Sequence, residues 1–216
     1  MKTDIQLKDD VLAELKWAPD VSETDVGVIV KDGVVTLTGH LPSFGEKLAA
    51  ERAVARVRGV KALAVEITVN LPSSSKRTDA DIAAAAQRVL AWSSLIPKDA
   101  VHVKVEQGRV TLSGEVEWEY QRSLAFSAVH NLLGVVSVAN NVMVKPRVTM
   151  VSVEQSIRDA LARQAEREAK GIDISVNGTQ VTLRGKVHSW AERQAAIGAA
   201  WSAPGVANVV NALTIG

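Results

Sequence analysis

Few residues in this chain have the capacity for chemistry, and they are scattered. The imidazoles are His40, His102, His130 and His188, and none reads as joined by a second histidine or a carboxylate at i+4 or another metal-ligand spacing. Cysteine is absent, which removes disulfides, thiolate metal sites and cysteine nucleophiles. Glu115, Glu117 and Glu119 alternate and would share one face of an extended segment, but a row of like charges reads as a solvated acidic edge. Acid–base work would need facing carboxyl groups in different surroundings. No serine has a His/Asp partner pattern, and neither GxSxG nor GxxxxGK[ST] occurs. The expectation is a protein without catalytic machinery, metal or cofactor.

The elements that would position any site repeat three times. GVVTLTGH at 33–40 returns as GRVTLSGE at 108–115 and as TQVTLRGK at 179–186. Offsets of 75 and then 71 residues bring Gly39, Gly114 and Gly185 into register. Gly59, Gly134 and Gly205 then align as well, each 20 residues further on. Fixed-period self-similarity of this kind defines tandem units. The boundaries read as repeat 1 at 1–70, a Pro/Ser-rich linker at 71–77, repeat 2 at 78–145, a short linker at 146–151 and repeat 3 at 152–216. The shorter second linker predicts that repeats 2 and 3 pair more closely than repeats 1 and 2.

Each unit opens with helical spacing: Leu7, Val11, Leu12 and Leu15; then Ile82, Ala86, Val89 and Leu90; then Ile157, Ala160 and Leu161. Thr78 to Asp81 and Ser152 to Gln155 read as N-terminal caps. Strict alternation follows, as in Val26, Val28, Val30 and then Val35, Leu37 around Asp32-Gly33. Equivalent turns fall at Gln107-Gly108 and Asn177-Gly178, which is hairpin chemistry. A second helix starts at Ser43 or Ser189, with Ala49, Ala53, Ala125, Ala128, Ala195, Ala196 and Ala199 on its inner face. A last alternating segment closes the unit. The predicted class is α+β: three α-β-β-α-β domains, each a three-stranded mixed sheet with two helices on one face. All six aligned glycines read as structural, the later three ending the second helix.

The aromatic residues stand out because they are only 4% of the chain, and five of the eight are Trp. Trp17 and Trp92 align at the end of the first helix, where half-buried capping is expected. The third copy has Arg163 there. Phe44, Trp118, Tyr120 and Trp190 gather where hairpin meets second helix, as in staple-like packing. Further along that helix, repeat 1 shows Glu51 and Ala55, repeat 2 Phe126 and His130, and repeat 3 Ile197 and Trp201. An apolar outward face needs a cover: another copy, a protein partner or a lipid surface. Asn140 and Asn211 interrupt the apolar last strand and read as hydrogen-bonded structural amides.

Charge narrows the partners. Twenty-five basic against 24 acidic residues leave a net +1, which argues against nucleic acid. No stretch approaches the roughly 18 apolar residues of a membrane span. The N-terminus lacks a signal-peptide run, so the chain as written is expected in the cytoplasm, or in the periplasm if a leader has been removed.

The VTLxG strand, the glycine 20 residues later and the closing strand VVNALTI at 209–215 resemble the BON domain family. So does SWAERQAA at 189–196. The resemblance implies a tandem, non-catalytic, stress- or envelope-related protein that binds phospholipid surfaces. The alternative is a protein interaction scaffold or homo-oligomer. Trp118, Tyr120, Phe126, His130, Trp190, Ile197 and Trp201 are the candidate lipid or partner contacts.

Overall fold

The computed structural model describes residues 2–145, 157, 172–203 and 205–215. Repeat 1 runs α1 (Asp4–Trp17), β1 (Val26–Lys31), β2 (Val34–Leu41), α2 (Phe44–Arg56) and β3 (Ala62–Val69). Repeat 2 follows the same order with α3 (Asp79–Trp92), β4 (Val101–Glu106), β5 (Arg109–Val116), α4 (Glu119–Val129) and β6 (Ser137–Val144). In repeat 3, Ile157 is helical and fully buried. It precedes β7 (Ile172–Asn177), β8 (Gln180–Val187), α5 (Trp190–Trp201) and β9 (Asn208–Ile215). The fold is α+β in three α-β-β-α-β units. Ala160, Leu161 and Arg163, the Ser152 to Gln155 cap and the 146–151 linker lie outside the described residues.

The middle strand of each sheet pairs antiparallel with its hairpin partner and parallel with the last strand. The parallel step needs a crossover, and the second helix supplies it. Register puts Leu37, Leu112 and Leu183 at the centre, opposite Val28, Val103 and Ile174 on one side. Val65, Asn140 and Asn211 oppose them on the other. The helices cover one face of each sheet. Leu7, Val11 and Leu15 point into the core of repeat 1, whereas Leu12 lies one step off that stripe and stays exposed. Ala49 and Ala53 are buried as expected and Ala195 is not.

The first two hairpins turn through Asp32-Gly33 (φ 54° and 81°) and Gln107-Gly108 (φ 52° and 74°), the paired left-handed geometry of a type I′ turn. In repeat 3 the strands pair out to Asn177 and Gln180, so the turn is Gly178-Thr179 and not Asn177-Gly178, with Gly178 at φ 61°. Each of the first two turns is pinned from a distance. Asp4 accepts from the Asp32 and Gly33 amides at 2.7 and 3.1 Å, and Asp79 from Gln107 and Gly108 at 2.7 and 2.8 Å. These aspartates also open α1 and α3, where negative charge is favoured. Asp79→Ala is expected to cost about 1–2 kcal/mol by urea denaturation, because both amides lose a charged acceptor. An unchanged midpoint would show that solvent replaces it fully.

The caps hold as written at Thr78, Ser43 and Ser189. Each hydroxyl accepts from the amide three residues on, at 3.1–3.2 Å. The carboxylates three residues after Ser43 and Ser189, on Glu46 and Glu192, bond elsewhere. Glu46 reaches back to the Ser22 amide at 2.7 Å, tying the loop after α1 to the start of α2. In repeat 2 the aligned residue is Gln121, buried, which accepts from Glu117 and Trp118 and donates to Leu95 O.

The linker after Leu71 is ordered, with a 3-10 turn at Ser73–Ser75 and Arg77 donating to Ser74 O and Lys76 O at 2.9 and 2.7 Å.

Candidate functional site

The second helices α2, α4 and α5 meet one another end to end. Phe44 opens α2, yet it belongs to the buried cluster of repeat 2 with Ile82, Leu112 and Val129, joined at its edge by Leu48 and Val69. A methyl group on Gly45 would come within 2.3 Å of Asn131 Oδ1, so the start of α2 abuts the end of α4. Trp190 opens α5 and packs on the cluster of repeat 1, while His188 and Ile215 line a groove against Asp4 and Gly59. The start of α4 faces the end of α5 across a crevice. Contact thus runs from repeat 1 to 2, from 2 to 3, and from 3 back to 1. A head-to-tail interface whose rotation closes makes a ring.

That ring relocates the aromatic residues. Phe44 and Trp190 are not staples within their own repeat. They pack in another repeat: Phe44 within the cluster of repeat 2 and Trp190 against that of repeat 1. Trp201 packs against the clusters of both repeats 2 and 3, and Ile197 against that of repeat 3. Phe126 is half-buried on its own repeat's core, stacked on His130 with ring centroids 5.4 Å apart. Trp118 and Tyr120 are exposed and stacked on each other at 6.5 Å. Of that outward helix face, Trp201 is the residue packed against a neighbouring repeat's cluster, while Phe126 and Ile197 pack on their own.

Glu119 is not part of a solvated strand edge. The strand ends at Val116 and Glu119 is the first residue of α4. Its side chain is mostly buried, and that desolvation holds its pKa above the usual range although Arg122 and Ser123 oppose the shift. Glu115 on the strand pairs with Lys145.

Asn140 ties strand to helix, donating to Arg122 O at 2.9 Å and accepting from the Val142 amide at 3.3 Å. Asn211 accepts from the Leu213 amide at 3.1 Å. One histidine pairing went unread in the sequence: Glu192 stands four residues after His188, and its carboxylate lies 3.2 Å from Nδ1 and 2.5 Å from the His188 amide. That is a helix-start contact. No group of three or more His, Asp or Glu converges among the described residues.

The aligned glycines are accounted for by the backbone. At Gly39 and Gly114 (φ 133° and 126°) a β-carbon would sit 2.0 Å from the carbonyl oxygen of Asp25 or Ala100; Gly185 shares the conformation at φ 134°. Gly59, Gly134 and Gly205, at φ 104°, 90° and 89°, do not end the second helix as its sequence suggests: α2, α4 and α5 stop at Arg56, Val129 and Trp201, and the glycines turn the loop that leads on to the last strand.

Sequence reasoning missed the surface at the far end of the first helix. Trp17 and Trp92 are not half-buried caps: they are 83% and 91% exposed. Leu95, 55% exposed, follows Trp92 by three residues. The signal that could have found them is their alignment outside the helix stripe that faces the core. Among the described residues no helix is long and apolar enough to cross a membrane.

Three small mixed sheets with helix-borne contacts between them and no assembled acid–base pair define a tandem array of small α+β domains. The chain belongs to the BON domain family: the BON domain model matches at residues 3–70, 78–146 and 151–216. BON domains are generally non-catalytic. No curated protein matches the chain. The solved structures similar to it include CdsD, a structural protein of the type III secretion system of Chlamydia trachomatis, and the C-terminal domain of CdsD. Both are 15% identical, with TM-scores of 0.26 and 0.27. The alignments cover 96% and 99% of this chain and 90% and 99% of those chains. Scores of this size carry no argument about role.

Proposed function

We propose that this BON protein is a non-catalytic binding protein that associates with phospholipid surfaces through Trp17 and Trp92, in a stress- or envelope-related setting. The observation behind this reading is the exposure of these two indoles at equivalent ends of α1 and α3. A lone exposed apolar residue needs no explanation, but the same large residue left in solvent twice at one repeat position does. Trp favours the headgroup region, where its apolar body is buried and its N–H stays wet.

Burying a large side chain contributes roughly 1.5–3 kcal/mol. Trp17→Ser with Trp92→Ser is therefore expected to weaken vesicle co-sedimentation at least about tenfold. Both side chains stand outside the hydrophobic clusters, so the thermal midpoint should stay put. Vesicles with and without anionic lipid set the charge preference. Undiminished sedimentation of the double variant, or no sedimentation of the parent protein, would reject the reading.

A further inference from the structure

The three junctions of the ring differ chemically at one position. Where Phe44 plugs the first junction and Trp190 the third, the aligned residue in the second is Glu119. The aromatic rings there have moved to either side, to Trp118 and Tyr120. Across from them stand Ile197 and Trp201 of repeat 3, and the crevice between has a volume of about 890 Å³. Arg122 lies between the walls, its guanidinium 5.4 Å from the Trp201 ring centre and its Nε 2.9 Å from Glu119 Oε2. Ser123 donates to the other carboxylate oxygen at 3.2 Å. Arg122 Nε also donates to that oxygen at 3.1 Å, so Oε2 is buried within the ion pair and meets no further partner among the described residues. An aromatic-walled crevice with a carboxylate and a guanidinium side by side has the composition of a ligand site.

Each group selects one feature of a ligand. Trp and Tyr rings attract cations through their faces without accepting strong hydrogen bonds, and the Glu119 oxygens are already taken by Arg122 and Ser123, which suits an alkylated ammonium better than a primary one. Arg122 presents a fork for an acidic group. The site's two charges cancel, so a ligand bearing one charge would leave a like charge facing it, whereas a ligand bearing both signs matches each. We infer that this crevice binds a small zwitterion, an alkylated ammonium with an acidic group a few bonds away. The ammonium lies against Trp118, Tyr120 and Glu119, and the acid on Arg122. The same chemistry occurs in free betaine-type solutes and in zwitterionic lipid headgroups.

The test titrates the full chain with trimethylglycine by calorimetry. In parallel it uses 3,3-dimethylbutanoate, the same shape with carbon in place of the charged nitrogen, and tetramethylammonium, which lacks the acid. Trimethylglycine is expected to bind saturably and each control about tenfold more weakly, the scale of one desolvated cation–aromatic or charged contact. The exposed Tyr120→Ala should lose about tenfold with an unchanged thermal midpoint, and Glu119→Gln about tenfold in protein shown to be folded by circular dichroism, since that variant also gives up the Arg122 ion pair. Competition by phosphatidylcholine vesicles, and not by phosphatidylglycerol vesicles, would assign the natural source to a headgroup; binding undisturbed by either would assign it to a free solute. Equal binding of 3,3-dimethylbutanoate, full binding by both variants, or no saturable binding of trimethylglycine would overturn the site. None of these outcomes depends on Trp17 or Trp92.

Discussion

Gly114→Ala is expected to destabilise repeat 2 by on the order of 2–4 kcal/mol, the sum of backbone strain and a forced shift in packing. The new methyl group would stand 2.0 Å from the carbonyl oxygen of Ala100, at φ 126°. That oxygen is not free to move, because it accepts the Glu115 amide at 3.1 Å. Val101, the next residue, pairs directly with Gly114 across the sheet. Relief would require opening the hairpin at the end where β4 enters. Urea denaturation followed by circular dichroism reads the loss, and hydrogen exchange should place it in β4 and β5. Ser113→Ala, one residue away on the exposed face, is the control and should stay within about 0.5 kcal/mol. A Gly114→Ala protein as stable as that control would mean the close approach is not a feature of the molecule.

Phe44→Ala has the second large effect, and its location is the informative part. Phe44 is 7% exposed and lies in the cluster of repeat 2 although the chain places it in repeat 1. Truncating a buried Phe costs about 3–5 kcal/mol where the site cannot collapse. Here the loss should appear as uncoupling. Exchange protection should fall around Ile82 and Val129 in repeat 2, while Leu15 and Leu37 in repeat 1 keep theirs. Unfolding should then separate into two transitions. Loss confined to repeat 1 would mean Phe44 packs within its own unit and the ring is not closed at that junction. Trp190→Ala should act in the same way between repeats 3 and 1, with a smaller effect because Trp190 is only partly buried.

The repeating unit was legible because its determinants are local. Alternation in Val26 to Val30 and Val35 to Leu37 can satisfy only one sheet face, and a left-handed pair such as Asp32-Gly33 fixes the hairpin register. The glycines at 39, 114 and 185 mark a backbone conformation that other residues reach only with strain. Capping at Ser43, Thr78 and Ser189 depends on neighbours three residues away. A turn shifted by one residue in repeat 3 is the scale of error such reasoning makes, since Asn177 and Gly178 both suit a turn.

The candidate sites were legible only as residue types. Phe126, Ile197 and Trp201 read as an apolar helix face needing a cover, but what covers them depends on how three domains rotate against one another. Linker length suggested a free first repeat, whereas a side chain of that repeat fills a gap in the second. Glu119 read as one of three alternating surface acids until the strand ended before it and the helix turned it toward Arg122 and Trp201. The aspartates that pin the hairpins act across 28 residues of sequence, beyond any local pattern. By itself the sequence determined three copies of one α-β-β-α-β unit, because sheet alternation, turn chirality and helix caps are set within a few residues. Only the tertiary structure decided that the copies close into a ring, which side chains plug its junctions, and that Trp17 and Trp92 are left in solvent. Those outcomes belong to surfaces meeting across the whole chain, where one rotation either closes or does not.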